Sequence, residues 1–145
     1  MNRDFAEMLD ALSGAGADFL IIGAHALAAH GRPRATGDLD IWVRPTHENA
    51  ARVWRALTTF GAPFGDLTLE DLSTEGVVFQ IGIEPARIDI LTTVTGLTFE
   101  EAWSRRDRFE VEGRMLPFLS REDLIRNKTA LGRPRDLADI DDLKR

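Results

Sequence analysis

Two aspartates stand two positions apart in an otherwise apolar segment of the chain. Asp38 and Asp40 lie in the sequence DLDIWV, whose alternation of polar and apolar residues is typical of a β-strand with two faces. Both carboxylates then point to one face, while Leu39 and Ile41 point to the other. Carboxylates held side by side repel each other, which raises a pKa or requires a cation between them. A strand with a solvated polar face is the alternative interpretation of this pair.

A third aspartate occurs in the same kind of setting farther along the chain. Asp89 stands in the segment ARIDIL, where Ile88 and Ile90 flank it and point to the opposite face. If its strand lies beside the strand of Asp38 and Asp40, the three carboxylates form a cup. Mg²⁺ takes oxygen ligands and bridges to substrate phosphates. Because such a cup can hold two ions about 3.5–4 Å apart, we predict a site for Mg²⁺, with Mn²⁺ as the alternative ion.

A glycine that follows an apolar segment suggests a phosphate-binding turn. Gly23 ends the segment FLIIG and precedes AHALAAHG, which has the composition of a short helix. A turn from strand to helix presents free backbone N–H groups and the positive end of the helix dipole, both of which suit a phosphate. Glycine is common at turns of every kind, so this feature alone is a weak signal.

The elements that position these residues are indicated by hydrophobic periodicity and by capping residues. Predicted helices cover residues 3–13, 24–31, 46–60, 98–106 and 120–131, and a further helical segment covers 136–145. Predicted strands cover 18–23, 38–43, 77–83 and 87–94, and a hairpin covers 109–119. A tight turn is predicted at Glu84-Pro85-Ala86, and Thr68 with Asp71 predicts a short helix. This order favours an α/β or α+β fold, a single domain over residues 1–145 with a mixed β-sheet flanked by helices and a C-terminal helical element at 120–145.

Composition and charge limit the classes of partner. The 145-residue chain is 43% hydrophobic and 29% charged, as globular proteins are, and it has no cysteine, which excludes thiolate metal sites. Its net charge of −6 argues against binding of an extended duplex through the phosphates, but not against contact with one RNA end or one triphosphate. The apolar run FLIIGAHALAA is too short to span a bilayer, and the acidic N-terminal segment is unlike a signal peptide. We therefore expect a cytoplasmic protein with no membrane partner.

Taken together, these residues resemble the nucleotidyltransferase superfamily of DNA polymerase β. In that superfamily an apolar strand leads through Gly-Gly or Gly-Ser into a helix, the next strand carries Asp-x-Asp, and a later strand carries a third acid. Gly23-Ala24 matches the first element, Asp38 and Asp40 match the second, and Asp89 is the candidate for the third. Ala24 departs from the pattern, since a serine hydroxyl there would supply one more phosphate contact.

A closer resemblance is to small bacterial nucleotidyltransferase-like proteins related to abortive-infection and toxin–antitoxin nucleotidyltransferases. The run GAHALAAHGRPRATGDLDIWV is similar to theirs over its whole length. The C-terminal segment is similar too, with Lys128 followed by Arg133, Arg135-Asp136 and Asp139. The resemblance covers nearly the whole chain. It implies Mg²⁺-dependent transfer of a nucleoside monophosphate from a nucleoside triphosphate (NTP) to an acceptor hydroxyl.

The resemblance also implies a role for each candidate residue. Asp38 and Asp40 would hold both metal ions, and Asp89 would hold the catalytic ion and help to deprotonate the acceptor. The residues that would bind the NTP are Gly23, Ala24, Arg34, Thr36 and Lys128.

The residue types explain three of these assignments. Arg34 can pair with triphosphate oxygens in bidentate fashion, Thr36 can orient Asp38, and Lys128 can act as a point cation. The alternative interpretations are an exposed loop for Arg34 and Thr36 and a solvated helix face for Lys128. Asp136 follows a break at Gly132–Pro134, so we predict that it caps the last helix.

The acceptor stays open between an RNA 3′ end, a protein side chain and a small molecule such as an aminoglycoside. The alternative function is a catalytically weak or inactive binding module, for example one component of a toxin–antitoxin pair. The small size of the chain and Ala24 favour this alternative. The retention of three acids argues against it, because acids that converge without a cation cost stability.

Overall fold

The computed structural model describes residues 1–31 and 37–145. Within these residues the chain forms six helices, six strands and one 3-10 turn, Glu70–Ser73. The helices are α1 (Arg3–Gly14), α2 (Gly23–Ala29), α3 (His47–Phe60), α4 (Phe99–Ser104), α5 (Arg121–Leu131) and α6 (Pro134–Lys144). The strands are β1 (Phe19–Ile22), β2 (Leu39–Val43), β3 (Val78–Ile81), β4 (Ile88–Leu91), β5 (Asp107–Val111) and β6 (Arg114–Phe118).

The strands form one sheet in the order β3-β4-β2-β1-β6-β5. Strand β2 pairs with β4 in parallel, as β1 does with β6, and the other three neighbouring pairs are antiparallel. The predicted α/β fold with a mixed sheet flanked by helices is therefore confirmed. The parallel pairing of β2 with β4 matters most for the site, because these two strands carry the candidate acids.

The two faces of the central strands have opposite characters. Leu39 and Ile41 of β2, together with Ile88 and Ile90 of β4, are at most 1% exposed and belong to the hydrophobic core. Helices α1 and α3 pack against each other and bury their apolar residues in the same core. Since side chains alternate along a strand, Asp40 and Asp89 lie on the other face of β2 and β4, which also carries the buried Trp42.

Several local predictions are confirmed by side-chain hydrogen bonds. The hydroxyls of Thr46 and Ser120 accept the backbone N–H three residues on and so cap α3 and α5. Thr68 and Asp71 bond to each other reciprocally at the start of the 3-10 turn. The predicted tight turn closes with a 3.0 Å hydrogen bond from the Ala86 N–H to the Ile83 carbonyl.

Strands β3 and β4 are shorter than predicted at both ends. The sequence pattern predicts strands over 77–83 and 87–94, whereas the ladder covers Val78–Ile81 and Ile88–Leu91. Gly82 has a positive φ of 85°, which turns the chain out of the sheet. At the other end the Thr92 hydroxyl accepts the Val77 N–H at 3.0 Å and donates to the Thr74 carbonyl.

The C-terminal helices α5 and α6 are separated by a tight break. Gly132 has a positive φ of 65° at the end of α5. Asp136 then accepts the backbone N–H of Arg133 at 3.1 Å, which confirms that it caps α6. Among residues 1–31 and 37–145, no helix is long and apolar enough to cross a membrane.

Candidate active site

Asp40 and Asp89 stand directly opposite each other on neighbouring strands. The parallel ladder of β2 and β4 pairs Leu39 with Ile88, Asp40 with Asp89 and Ile41 with Ile90. The two carboxylates therefore share one face of the sheet, opposite to Leu39, Ile41, Ile88 and Ile90, and Asp89 is only 8% exposed. The expectation that the strands of the candidate acids adjoin is confirmed.

The close approach of these acids changes the proton affinity of Asp40. Burial raises the pKa of Asp40 to about 7, and the charge of Asp89, a hydrogen bond with Asp89 and the charge of Asp38 add to this effect. The nearby guanidinium of Arg87 opposes it. Two carboxylates that raise the pKa of one of them to about 7 mark a place where a cation would be stabilised.

Arg87 lies between the other two acid positions. Its backbone N–H donates to Oδ1 of Asp38 at 2.9 Å, and its Nη2 lies 3.3 Å from Oδ2 of Asp38. Its Nε and Nη2 also donate to the two oxygens of Asp89, at 2.7 and 3.2 Å. Glu84 accepts from Nη1 at 3.0 Å. The guanidinium thus neutralises Asp38 and Asp89 together.

The donor set fits one cation better than the predicted cup of three carboxylates. Asp40 and Asp89 offer adjacent oxygens of the kind that Mg²⁺ prefers. In the part of the chain that the structure describes, however, no three acidic, histidine or cysteine side chains converge closely enough to hold a metal ion. Asp38 and Asp89 both bond to Arg87 instead, so either of them can join Asp40 as a ligand only if the guanidinium turns away.

Gly23 leaves room for the Asp40 carboxylate as well as forming the turn. Strand β1 pairs with β2 so that Ile22 stands opposite Asp40, and Gly23 follows with a positive φ of 67°. A Cβ atom on Gly23 would lie 2.5 Å from Oδ2 of Asp40, which is closer than any real contact of this kind. Ala24 comes next in the first turn of α2 and is half-buried.

A cavity of about 270 Å³ opens beside Asp40 and brings several predicted residues together. Gly23, Asp40 and Lys128 of α5 all line it. Thr93 and Arg133 also line the cavity, although sequence reasoning gave neither of them a role at the site. The cavity therefore joins the predicted glycine turn to the C-terminal cations.

Lys128 takes part in an ion-pair cluster at the edge of this cavity. Its side chain is 13% exposed, and its Nζ lies 3.2 Å from Asp139 and 3.5 Å from Asp136. Hydrogen bonds from Arg133 lower the pKa of Asp136 to about 2, so this partner of Lys128 is ionised. The interpretation of Lys128 as a solvated helix lysine is therefore wrong.

Two predicted NTP ligands, Arg34 and Thr36, lie outside the described residues. On the flanks of that segment, Nε2 of His25 is 3.2 Å from the carbonyl oxygen of Gly37. This contact joins helix α2 to Gly37, directly before Asp38 and two residues before β2 begins.

Sequence reasoning missed Arg87, although a signal for it was present. Arg87 stands two positions before Asp89, so it lies on the same face of an extended segment. An arginine at that spacing can reach both carboxylate oxygens with its planar fork of donors.

The sheet order and the paired acids define an α/β protein of the nucleotidyltransferase fold. The family described as "Nucleotidyl transferase of unknown function (DUF2204)" matches residues 1–145, and the chain belongs to this family. A solved structure from Thermotoga maritima, itself only provisionally assigned as a nucleotidyltransferase, is similar over 98% of this chain and 89% of that one. Its TM-score is 0.60 at 16% sequence identity, so the likeness shows the fold. No curated protein matches the sequence.

Proposed function

We propose that this protein is a Mg²⁺-dependent nucleotidyltransferase that moves a nucleoside monophosphate from an NTP to an acceptor hydroxyl. The observation that supports this most directly is the pairing of Asp40 with Asp89 beside the cavity of Gly23 and Lys128. Paired carboxylates next to a cationic cavity suit a metal–triphosphate complex, because the metal neutralises the charge of the acids and the cations neutralise the charge of the phosphates.

In this proposal Arg87 turns away from Asp89, Asp40 and Asp89 then hold the cation, and Asp38 joins them when Arg87 releases it as well. Mg²⁺, or Mn²⁺ in its place, would neutralise phosphate charge and activate the attacking oxygen. Asp89 would accept the proton of the acceptor hydroxyl. A P–O bond to the acceptor forms as the bond between the α- and β-phosphates breaks, and pyrophosphate leaves.

The triphosphate would occupy the cavity beside Asp40. The backbone N–H groups at Gly23 and Ala24 and the cations Lys128 and Arg133 are the groups proposed to meet it. Because Asp136 and Asp139 already pair with Lys128, they would set its position and reduce the charge that it offers a phosphate. Arg34 and Thr36 are also proposed to bind the triphosphate, and this part of the proposal rests only on the resemblance of their segment to nucleotidyltransferase-like proteins.

A second candidate function is an inactive binding module, for example in a toxin–antitoxin pair. The observation that favours it is Arg87, which neutralises Asp38 and Asp89 without any metal. Acids that have an internal cation do not need Mg²⁺ for stability, so their retention no longer argues against this alternative. Both functions are proposed for a cytoplasmic protein that binds no extended duplex, given its net charge of −6.

The experiment that separates the two functions measures binding and transfer side by side. The protein is melted with Mg²⁺ and each NTP, and then incubated with each α-labelled NTP and a panel of RNAs, proteins and small hydroxyl compounds. A melting shift with label transfer, both lost in Asp40→Asn, is the result expected for the enzyme. No shift with any NTP contradicts the enzyme and favours the inactive binding module, and a shift without transfer to any acceptor supports a module that still binds nucleotide.

A further inference from the structure

Asp38 lies just outside the β-ladder that holds Asp40. Asp40 stands opposite Ile22 of β1 on one side and Asp89 of β4 on the other. Strand β2 begins at Leu39, so Asp38 precedes its first residue. Strand β1 ends at Ile22, and helix α2 begins at the next residue, so β1 does not extend alongside Asp38. The ladder therefore fixes Asp40 from both sides but does not support Asp38 from the side of β1.

On the side of β4, by contrast, Asp38 is held by contacts with the backbone and the side chain of Arg87. The Leu39 N–H donates to the Arg87 carbonyl at 2.9 Å, and the Arg87 N–H donates to Oδ1 of Asp38 at 2.9 Å. The guanidinium of Arg87 adds an ion pair with Oδ2 of Asp38 at 3.3 Å. If the guanidinium turns away, only the backbone contacts remain on this side.

Helix α2 supplies a contact on the other side through the side chain of His25. Its Nε2 lies 3.2 Å from the carbonyl oxygen of Gly37, the residue directly before Asp38. A carbonyl oxygen can only accept, so Nε2 carries the hydrogen and donates it. The side chain of His25 therefore holds the backbone of this segment at the place where β1 no longer runs beside it.

The position of His25 is itself fixed by two contacts of its surroundings. The ring of Phe5 in α1 packs edge to face against the His25 ring, with the two ring centroids 5.5 Å apart. Two residues before His25, Gly23 approaches the carboxylate of Asp40 so closely that a Cβ atom there would lie 2.5 Å from Oδ2. Helix α2 therefore contacts Asp40 at one point and the backbone before Asp38 at another, so it can set the distance between these two acids.

We propose that His25 is a positioning residue that keeps Asp38 within reach of the cation. This inference rests on the nucleotidyl transfer proposed above, in which Asp38 becomes a ligand once Arg87 releases it. Release removes the ion pair that holds the carboxylate, whereas the bond from His25 to the preceding carbonyl does not involve Arg87. The carboxylate then stays close to the cation, because its backbone stays in place. His25 itself would touch neither the cation nor the nucleotide.

Two substitutions separate the hydrogen-bond donor of His25 from its ring. His25→Gln keeps an N–H donor at the same number of bonds from Cβ as Nε2, whereas His25→Phe keeps a ring against Phe5 but has no donor. The cavity of about 450 Å³ that His25 lines gives both side chains room. His30→Phe is the matched control, because Nε2 of His30 donates in the same way, at 2.9 Å, to the carbonyl of Leu119, which follows β6.

Transfer kinetics at varied Mg²⁺ concentration provide the first measurement. We expect His25→Phe to lower kcat about tenfold and to raise the Mg²⁺ concentration for half-maximal rate about threefold, since a metal ligand is less well held. KM for the NTP should change less than about twofold, because the groups proposed to bind the triphosphate are untouched. His25→Gln should recover most of both losses. Equal losses in the two variants, or a wild-type rate and Mg²⁺ requirement in His25→Phe, would overturn the proposal.

Hydrogen exchange in the metal-free protein tests the same contact without any activity. The Leu39 N–H, directly after Asp38, should exchange about tenfold faster in His25→Phe than in the wild type and at nearly the wild-type rate in His25→Gln. The amide of Ile41, in the middle of β2, should not change. His30→Phe should lower the melting temperature but leave Leu39 exchange unaltered. Equally fast Leu39 exchange in His30→Phe would mean that any loss of stability loosens this segment, which would overturn the specific role of His25.

The melting shift with Mg²⁺ and no nucleotide separates this inference from the proposed function. A wild-type protein that transfers no label to any acceptor contradicts the proposed function, but its melting shift with Mg²⁺ can still be compared with those of the variants. A smaller shift in His25→Phe than in His25→Gln and the wild type supports the role of His25, and equal shifts in all three proteins would overturn it.

Discussion

Arg87 donates two hydrogen bonds to Asp89, from Nε to Oδ1 at 2.7 Å and from Nη2 to Oδ2 at 3.2 Å. The bond to Asp89 is the largest cause that raises the pKa of Arg87 above its ordinary value. Because the same guanidinium also contacts Asp38, one positive charge holds two of the three candidate acids. A divalent cation at this place must compete with that charge.

Removal of Arg87 should therefore make the protein depend on Mg²⁺. Arg87→Gln leaves Asp38 and Asp89 without their shared counter-charge, so the free energy of unfolding should fall in the absence of metal. Added Mg²⁺ should restore more stability in the variant than in the wild type, because a competing charge is gone. Urea unfolding with and without Mg²⁺ measures both effects.

Arg52→Gln is the matched control for this measurement. Arg52 pairs with Glu48 on the exposed face of α3, where an ion pair contributes little. It should change stability only slightly and without any dependence on Mg²⁺. Equal gains from Mg²⁺ in Arg87→Gln and the wild type would show that the guanidinium does not occupy a cation site.

The raised pKa of Asp40 predicts an unusual pH dependence of stability. The pKa is about 7 in the folded state against 3.8 for the ordinary carboxyl, so between these values the folded state holds a proton that the unfolded state has lost. The contribution of Asp40 to stability is thus present at low pH and falls as the pH rises through about 7. Asp40→Asn removes this titration and should be more stable than the wild type by about 1–2 kcal/mol near pH 8, a value discounted because the site is partly open to water.

Unfolding curves over this pH range, with and without Mg²⁺, provide the measurement. Mg²⁺ favours the ionised carboxylate, so it should flatten the decline in the wild type and do nothing in Asp40→Asn. A wild-type stability that rises steadily from pH 4 to pH 8 in the absence of metal would contradict the raised pKa.

Gly23→Ala tests the contact between the glycine turn and Asp40. The new Cβ would lie 2.5 Å from Oδ2 of Asp40, and the positive φ adds backbone strain. We expect a loss of about 2–3 kcal/mol of stability and a loss of binding of NTP with Mg²⁺, since the carboxylate must move. Calorimetry and NTP titration measure the two effects.

Gly16→Ala separates strain from contact. Gly16 has nearly the same positive φ, 69°, but a Cβ there would meet nothing within 4 Å. It should cost about 1 kcal/mol and leave NTP binding intact. If the two variants lose equal stability and both bind NTP normally, the approach of Gly23 to Asp40 has no role in the site.

The face of the sheet on which the acids lie could be predicted from the sequence, because side chains alternate between the two faces along a strand. Asp40 and Asp89 each stand between apolar residues, and burial of those residues leaves the acids on one common face. The pairing of β2 with β4 depends on contacts distant in sequence, so the alternation pattern could not predict that the two strands adjoin. The resemblance to the nucleotidyltransferase superfamily implied that Asp89 belongs to the same site as Asp38 and Asp40.

Ion pairs between distant segments could not be predicted in the same way. Lys128 meets Asp136 and Asp139 because the break at Gly132 folds α6 back onto α5, and the angle of that break is set by tertiary packing. The sequence gives the order of these residues along the chain, but it does not show that Asp136 and Asp139 form ion pairs with Lys128. Strand ends were overestimated because Thr92 satisfies backbone groups with its side chain.

Lys128→Met should weaken NTP binding and also cost stability. The variant keeps the volume of the side chain but removes the charge that faces Asp136 and Asp139. We expect a loss of about 1–3 kcal/mol in the free energy of unfolding and a roughly tenfold weaker affinity for NTP with Mg²⁺. Lys144→Met, on the exposed side of α6, is the control that should do neither. Unchanged NTP affinity in Lys128→Met would limit this lysine to a structural role.

Asp89 should have a different role from Asp40, although the two stand opposite each other. Asp40 touches Asp89 and the Gly23 turn, so Asp40→Asn should abolish both NTP–Mg²⁺ binding and transfer. Asp89→Asn keeps the shape of the side chain and one oxygen, which can still accept from Arg87 or ligate the cation. It should therefore retain much of the NTP affinity, while transfer falls because the amide cannot accept the proton of the acceptor.

A loss confined to the chemical step lowers kcat more than it raises KM, so each variant needs an affinity and a rate. NTP binding by calorimetry and single-turnover transfer, measured on the wild type, Asp40→Asn and Asp89→Asn, provide that comparison. We expect both variants to have transfer rates far below that of the wild type. We expect only Asp40→Asn to have a much lower NTP affinity. An Asp89→Asn protein that transfers at the wild-type rate would remove Asp89 from the chemistry. Glu84, which also accepts from Arg87, would then be the acid to substitute next.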